Sequence, residues 1–95
     1  MQTYRLNVDP GYSGQFWKNI AEKKIVFLLE KIRNEYYIDT FNLDETFINR
    51  LHQKTGNDKT DIENVVQLIK KIRNQSQTTE KELINFNELL EKLNL

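Results

Sequence analysis

Ile25-Val26-Phe27-Leu28-Leu29 is the longest run of consecutive apolar side chains in this 95-residue sequence, and its reading decides the fold. On a helix of 3.6 residues per turn, five successive apolar residues point in every direction around the axis. A half-exposed surface helix needs only one stripe. The run therefore asks for partners on several sides and predicts a central helix wrapped by others.

Around this run Phe16, Trp17, Ile20, Ala21, Ile25, Leu28, Leu29, Ile32 and Tyr36 recur at steps of three and four, and Val26, Phe27 and Tyr37 broaden the stripe. The spacing predicts a helix from about Phe16 to Tyr37. Asp9-Pro10-Gly11 reads as a turn before it, with Ser13 as its N-cap. Upstream, Tyr4, Leu6 and Val8 alternate with Thr3, Arg5 and Asn7, which is strand spacing. A lone strand has nothing here to pair with, so residues 1–14 are read as an extended or mobile arm and residues 15–95 as a single helical domain.

Downstream, Asp39 and Thr40 interrupt the pattern, and Asn42 with Glu45 three positions later has the spacing of a capping box for a short second helix. Leu43, Phe47, Ile48 and Leu51 form its narrow apolar face, and Gly56 suits a left-handed cap at its end. Asn57 or Asp58 starts a third helix with the stripe Ile62, Val65, Val66, Ile69 and Ile72. Acids gather at its start (Asp58, Asp61, Glu63) and bases at its end (Lys70, Lys71, Arg73), matching the helix dipole. After the polar link Asn74-Gln75-Ser76-Gln77, Thr79 and Glu82 form a capping box for a fourth helix faced by Leu83, Phe86, Leu90 and Leu93. The expected fold is an all-α, small four-helix bundle with a central first helix, a short second helix and a C-terminal helical hairpin.

Composition narrows the function classes. The 14 basic and 14 acidic residues cancel, which removes bulk charge as an argument for nucleic acid or an anionic membrane. The absence of cysteine excludes thiol catalysis and a disulfide framework. No run approaches the roughly 18 apolar residues that span a bilayer, and the N-terminus lacks the order of a secretory signal. His52 is the single histidine and no metal-ligand spacing accompanies it, so it reads as a polar surface residue. Acid pairs such as Asp44 with Glu45 sit in first helical turns, where the dipole explains them. No residue set supports an enzyme, a metal or a cofactor.

Three candidate surfaces remain. Helices two and three compare with a DNA-binding helix-turn-helix, because Leu51, Gly56, Ile62 and Val65 fall at that motif's apolar and turn positions. Asp58, Asp61 and Glu63 would then face phosphate, which weighs against it. Phe16, Trp17, Lys18, Lys23 and Lys24 form an aromatic and basic cluster of the kind found at membrane interfaces. Its plainer reading is a closed bundle end with solvated lysines. Finally Tyr36, Tyr37 and Phe41 cluster where the first helix ends, with Arg33 one turn earlier. This is a protein-binding composition or a cap on the core, and Tyr37 is the ring expected to stay exposed. Apolar surface left over on the first or fourth helix would serve homodimerisation.

The pattern of Lys24-Ile25, Phe27-Leu28, Ile32-Arg33, Tyr37-Ile38-Asp39-Thr40, Leu43-Asp44-Glu45, Phe47-Ile48, Leu51, Lys54-Thr55-Gly56, Ile69, Ile72-Arg73 and Thr79-Glu80 resembles the C-terminal segment of a bacterial domain-of-unknown-function family of membrane proteins. The resemblance covers about Lys23 to Leu95 and leaves residues 1–15 outside. It implies a cytosolic helical tail at the inner face of the bacterial membrane, reached only through a parent chain. It also implies a MoxR-type AAA+ ATPase, whose genes neighbour the family's, as a partner. No catalytic residue carries over. The expected function is a non-catalytic protein-protein interaction or assembly module centred on Arg33, Tyr36, Tyr37 and Phe41.

Overall fold

The structure is a computed structural model and describes residues 13–95. Of the expected arm, residues 1–12 lie outside the described residues. Four helices follow in order, α1 (Ser13–Tyr36), α2 (Glu45–Thr55), α3 (Lys59–Asn74) and α4 (Glu80–Lys92). The all-α bundle expected from the apolar periodicities is the fold observed.

Local chemistry explains each boundary. Helix α1 stops at Tyr36 because Tyr37 adopts a left-handed backbone with φ 58°, and its N–H returns to the Arg33 carbonyl at 3.1 Å. This closes the C-terminus as a glycine would, on a residue that carries a Cβ. The connector then buries Ile38 and Thr40, while the Asp39 carboxylate accepts the Phe41 N–H at 2.9 Å.

Helix α2 is capped by Asp44, whose side chain accepts the Phe47 N–H at 3.1 Å. The capping-box spacing of Asn42 and Glu45 is therefore not the one used. Leu43 and Ile48, the residues just before the cap and at the fourth helical position, are both buried. Burying that pair fixes the chain's entry one residue after Leu43. At the other end Gly56 is left-handed, φ 76°, and its N–H reaches the His52 carbonyl at 2.9 Å.

Asp58 caps α3 by accepting the Thr60 N–H. On α4 the predicted capping box is complete: the Thr79 hydroxyl accepts the Glu82 N–H at 3.1 Å and Glu82 accepts the Thr79 N–H at 3.0 Å.

One continuous core joins Ile25, Leu28, Leu29 and Ile32 of α1 to Leu51, Ile62, Val66, Ile69, Ile72 and Phe86 of the other helices. The hub is α3, which packs on α1, α2 and α4, whereas α1 packs on α3 and α4. Six side chains of α3 are buried, including the adjacent pairs Val65-Val66 and Leu68-Ile69. The central place expected for the first helix thus falls to the third. Length gives the reason: helices of 11, 16 and 13 residues cannot surround one of 24, and α2 spends its single apolar face on α3.

The start of α1 lies against the link between α3 and α4. Thr78 donates its N–H to the Gly14 carbonyl at 3.1 Å, and Lys18 Nζ donates to the Gln75 carbonyl. Gly14 permits the approach, because a Cβ there would sit 2.6 Å from the Gln77 side-chain oxygen.

Candidate interaction surface

The apolar run that opened the sequence is divided by the fold. Ile25, Leu28 and Leu29 point inward and are buried, while Val26 is 50% exposed and Phe27 74% exposed. The girdle expected to be wrapped on all sides is therefore covered on one side only. Asn19, Lys23, Val26, Phe27, Glu30 and Asn34 share the open side of α1, spaced by three and four residues like the inward stripe but rotated away from it.

Three shallow grooves flank this side. One of about 440 Å³ is lined by Asn19, Glu22, Lys23, Val26, Phe27 and Glu30. Across Phe27, a second of about 400 Å³ has an apolar floor of Phe27, Leu28 and Leu90 under the rim lysines Lys23, Lys24 and Lys31. The third, about 600 Å³, runs from Val26 and Glu30 past Arg33 to Phe41, with Arg73 of α3 on its far wall. Val26 and Glu30 line both the first groove and the third, so one surface extends from Phe27 to Phe41.

The four residues of the expected partner surface take different places. Arg33 and Phe41 share the third groove. Arg33 lies 4.0 Å from Glu30 and donates to the Thr40 hydroxyl at 3.4 Å, and Phe41 is 86% exposed. Tyr37, 83% exposed, stands at the turn that ends α1. Tyr36 is half-buried against the core, and its carbonyl accepts from Lys54 Nζ at 2.6 Å.

The aromatic and basic cluster near the start of α1 is likewise divided. Trp17 packs on the core and meets Phe16 edge to face, ring centres 4.9 Å apart. Lys18 is mostly covered, between Gln75 and a 4.0 Å approach to Glu22. Lys23 and Lys24 are exposed on the rims of the Phe27 grooves.

Sequence reasoning took Val26 and Phe27 as broadening the wrapped stripe, with apolar surface left over on the first helix as the alternative, and it missed Arg73. The first had a visible signal, since five consecutive apolar residues exceed any stripe that short neighbours can cover. Arg73 reaches the groove from another helix, which no local pattern reveals.

Elsewhere the polar groups hold structure. Glu82 is pulled below the usual carboxylate range, first by the Thr79 N–H and then by Gln75 and by Lys71 at 3.3 Å, while its partial burial works the other way. Exposed His52 places Nδ1 2.6 Å from the Asn57 carbonyl and closes the α2–α3 turn. Asp58, Asp61 and Glu63 stand at the start of α3. Among the described residues no group of three His, Cys, Asp or Glu side chains could hold a metal ion, and no helix is long and apolar enough to cross a membrane.

A four-helix, all-α domain with an open apolar helix face is the class these features define. The chain belongs to the family described as the DUF4350 C-terminal helical domain, whose profile matches residues 12–94. The match starts upstream of Lys23, where the resemblance read from motifs began. No curated protein matches the chain, and no solved structure does.

Proposed function

We propose that this domain is a non-catalytic interaction or assembly module that docks a protein on the outer side of α1, from Phe27 to Phe41. The observation that carries the reading is the exposure of Phe27, with Val26 beside it, within an apolar run whose other members Ile25, Leu28 and Leu29 belong to the core. Fully burying such a ring gains about 1.5–3 kcal/mol, and aromatic residues with nearby arginine are typical energetic centres of interfaces. Arg33 and Arg73 beside Phe41 extend the same chemistry. The motif resemblance supports a parent chain in the bacterial membrane with this domain at its cytosolic face. It makes a MoxR-type AAA+ ATPase the first partner to try.

The test is calorimetric titration of the purified ATPase encoded beside the parent gene with the wild-type domain, with Phe27→Asp, and with Arg33→Ala/Phe41→Ala. The expected result is at least about a tenfold loss of affinity in each variant, roughly 1.4 kcal/mol or more, with helicity unchanged. Equal affinity of all three proteins would remove the α1 face from the interaction, and absence of binding by the wild type would remove this ATPase as the partner.

A further inference from the structure

The open side of α1 is complementary to itself when reversed. Residues whose numbers sum to 53 pair the apolar Val26 with the apolar Phe27, the basic Lys23 with the acidic Glu30, and Asn19 with Asn34. All six are exposed. At about 100° per residue, Lys23 and Glu30 lie within roughly 10° of the line midway between Val26 and Phe27.

We infer that the occupant of this face is a second copy of the chain, docked α1 on α1 in antiparallel fashion about a two-fold axis between Val26 and Phe27. The inference rests on the proposed interaction face and names its partner. Each copy sets Lys23 opposite the second copy's Glu30, so two ion pairs lie along the midline of the contact. The Val26 and Phe27 side chains of both copies gather around the axis. Such an interface is isologous: the same patch serves both sides and the contact closes.

Charge selects this arrangement over its competitors. A parallel pair would oppose Lys23 to Lys23 and Glu30 to Glu30. An acidic foreign helix would satisfy the rim of Lys23, Lys24 and Lys31 but would meet Glu22 and Glu30 in the adjoining groove. A reversed copy of α1 supplies both signs where each is needed. The contact is a single helix pair about 36 Å long, at the small end of specific interfaces, so the expected dimer is a weak one whose population rises with concentration.

Sedimentation equilibrium of the full 95-residue chain between about 10 μM and 1 mM tests this. The wild type is expected to rise from 11.4 kDa toward twice that mass. Lys23→Glu and Glu30→Lys each place like charges across the axis, and each should raise the dissociation constant at least about tenfold. An equimolar mixture of the two variants restores opposite charges at both sites and should dimerise like the wild type. A wild type that stays monomeric over the range overturns the second copy as occupant, while the Phe27→Asp titration against a foreign partner decides the interaction face separately. Capture of an acidic amphipathic peptide by such a monomer would give the face to a foreign helix. A dimer indifferent to both reversals also overturns the inference, by placing the contact elsewhere.

Discussion

Asn57 and Asn94 hold each other by two hydrogen bonds: the Asn94 N–H donates to Asn57 Oδ1 at 2.7 Å, and Asn57 Nδ2 donates to the Asn94 carbonyl at 3.3 Å. The pair ties the segment after α4 to the turn between α2 and α3, across 37 residues of sequence. Asn57 is buried, and its Nδ2 also donates to the Thr55 hydroxyl at 2.8 Å. Replacing it removes these bonds from the Asn94 backbone and the Thr55 hydroxyl together. Asn57→Ala is expected to lower stability by about 2–3 kcal/mol in urea unfolding and to speed amide exchange at Asn94. An unchanged midpoint would show that the link contributes nothing.

Thr78 presents the opposite case. Its hydroxyl is the one buried side-chain polar atom with no hydrogen-bond partner among the described residues, although its N–H is satisfied by Gly14. Thr78→Val keeps the shape and removes the desolvated hydroxyl, so it should stabilise the domain by about 1 kcal/mol. Thermal melts of the two proteins check this, and a lowered melting temperature would contradict it.

Glu82 supplies a pH dependence with a definite sign. The folded carboxyl is held below its ordinary value of 4.5, so the unfolded chain takes up a proton first as the pH falls. The contribution is full above the ordinary value and is lost progressively below it, down through the depressed folded value. Unfolding free energy measured between pH 6 and 3 should fall less steeply in Glu82→Gln than in the wild type. Parallel profiles would contradict the assignment of this slope to Glu82.

Ile25 and Phe27, two residues apart, should respond oppositely to truncation. Ile25 is completely buried and Phe27 largely exposed. Ile25→Ala is expected to cost about 2–5 kcal/mol, whereas Phe27→Ala should stay within about 0.5 kcal/mol of the wild type. A large loss in Phe27→Ala would mean that the ring belongs to the folding core and is not a docking group.

The fold was legible wherever the governing interaction is local. The Thr79–Glu82 capping box, the Gly56 cap and the sorted charges of α3 lie within a few residues of what they stabilise, and the periodic stripes gave the four helices. Asn42 misled because two acceptors, Asn42 and Asp44, compete for one helix start, and the burial of Leu43 decides between them. The hub role of α3 and the outward turn of Phe27 depend on how much circumference the neighbours cover, which is a property of the assembled bundle. The Asn57–Asn94 link and the place of Arg73 have long sequence separations and leave no trace in any window. At the candidate surface, Arg33, Tyr37 and Phe41 could be named from composition, and the length of the apolar run signalled that part of it stays uncovered, but which of its members turn outward is set by the neighbours.

The interaction face on α1 is tested most directly by a disulfide, since the chain has no cysteine of its own. Val26→Cys places one thiol per copy beside the proposed two-fold axis and leaves Phe27 intact, and Gln67→Cys puts a control thiol at an exposed position of α3. Under mild oxidation the Val26→Cys chain is predicted to form a covalent dimer far faster than the Gln67→Cys chain, and Lys23→Glu in the same chain should slow it. Equal rates of crosslinking at the two positions would contradict the pairing of α1 with its own copy.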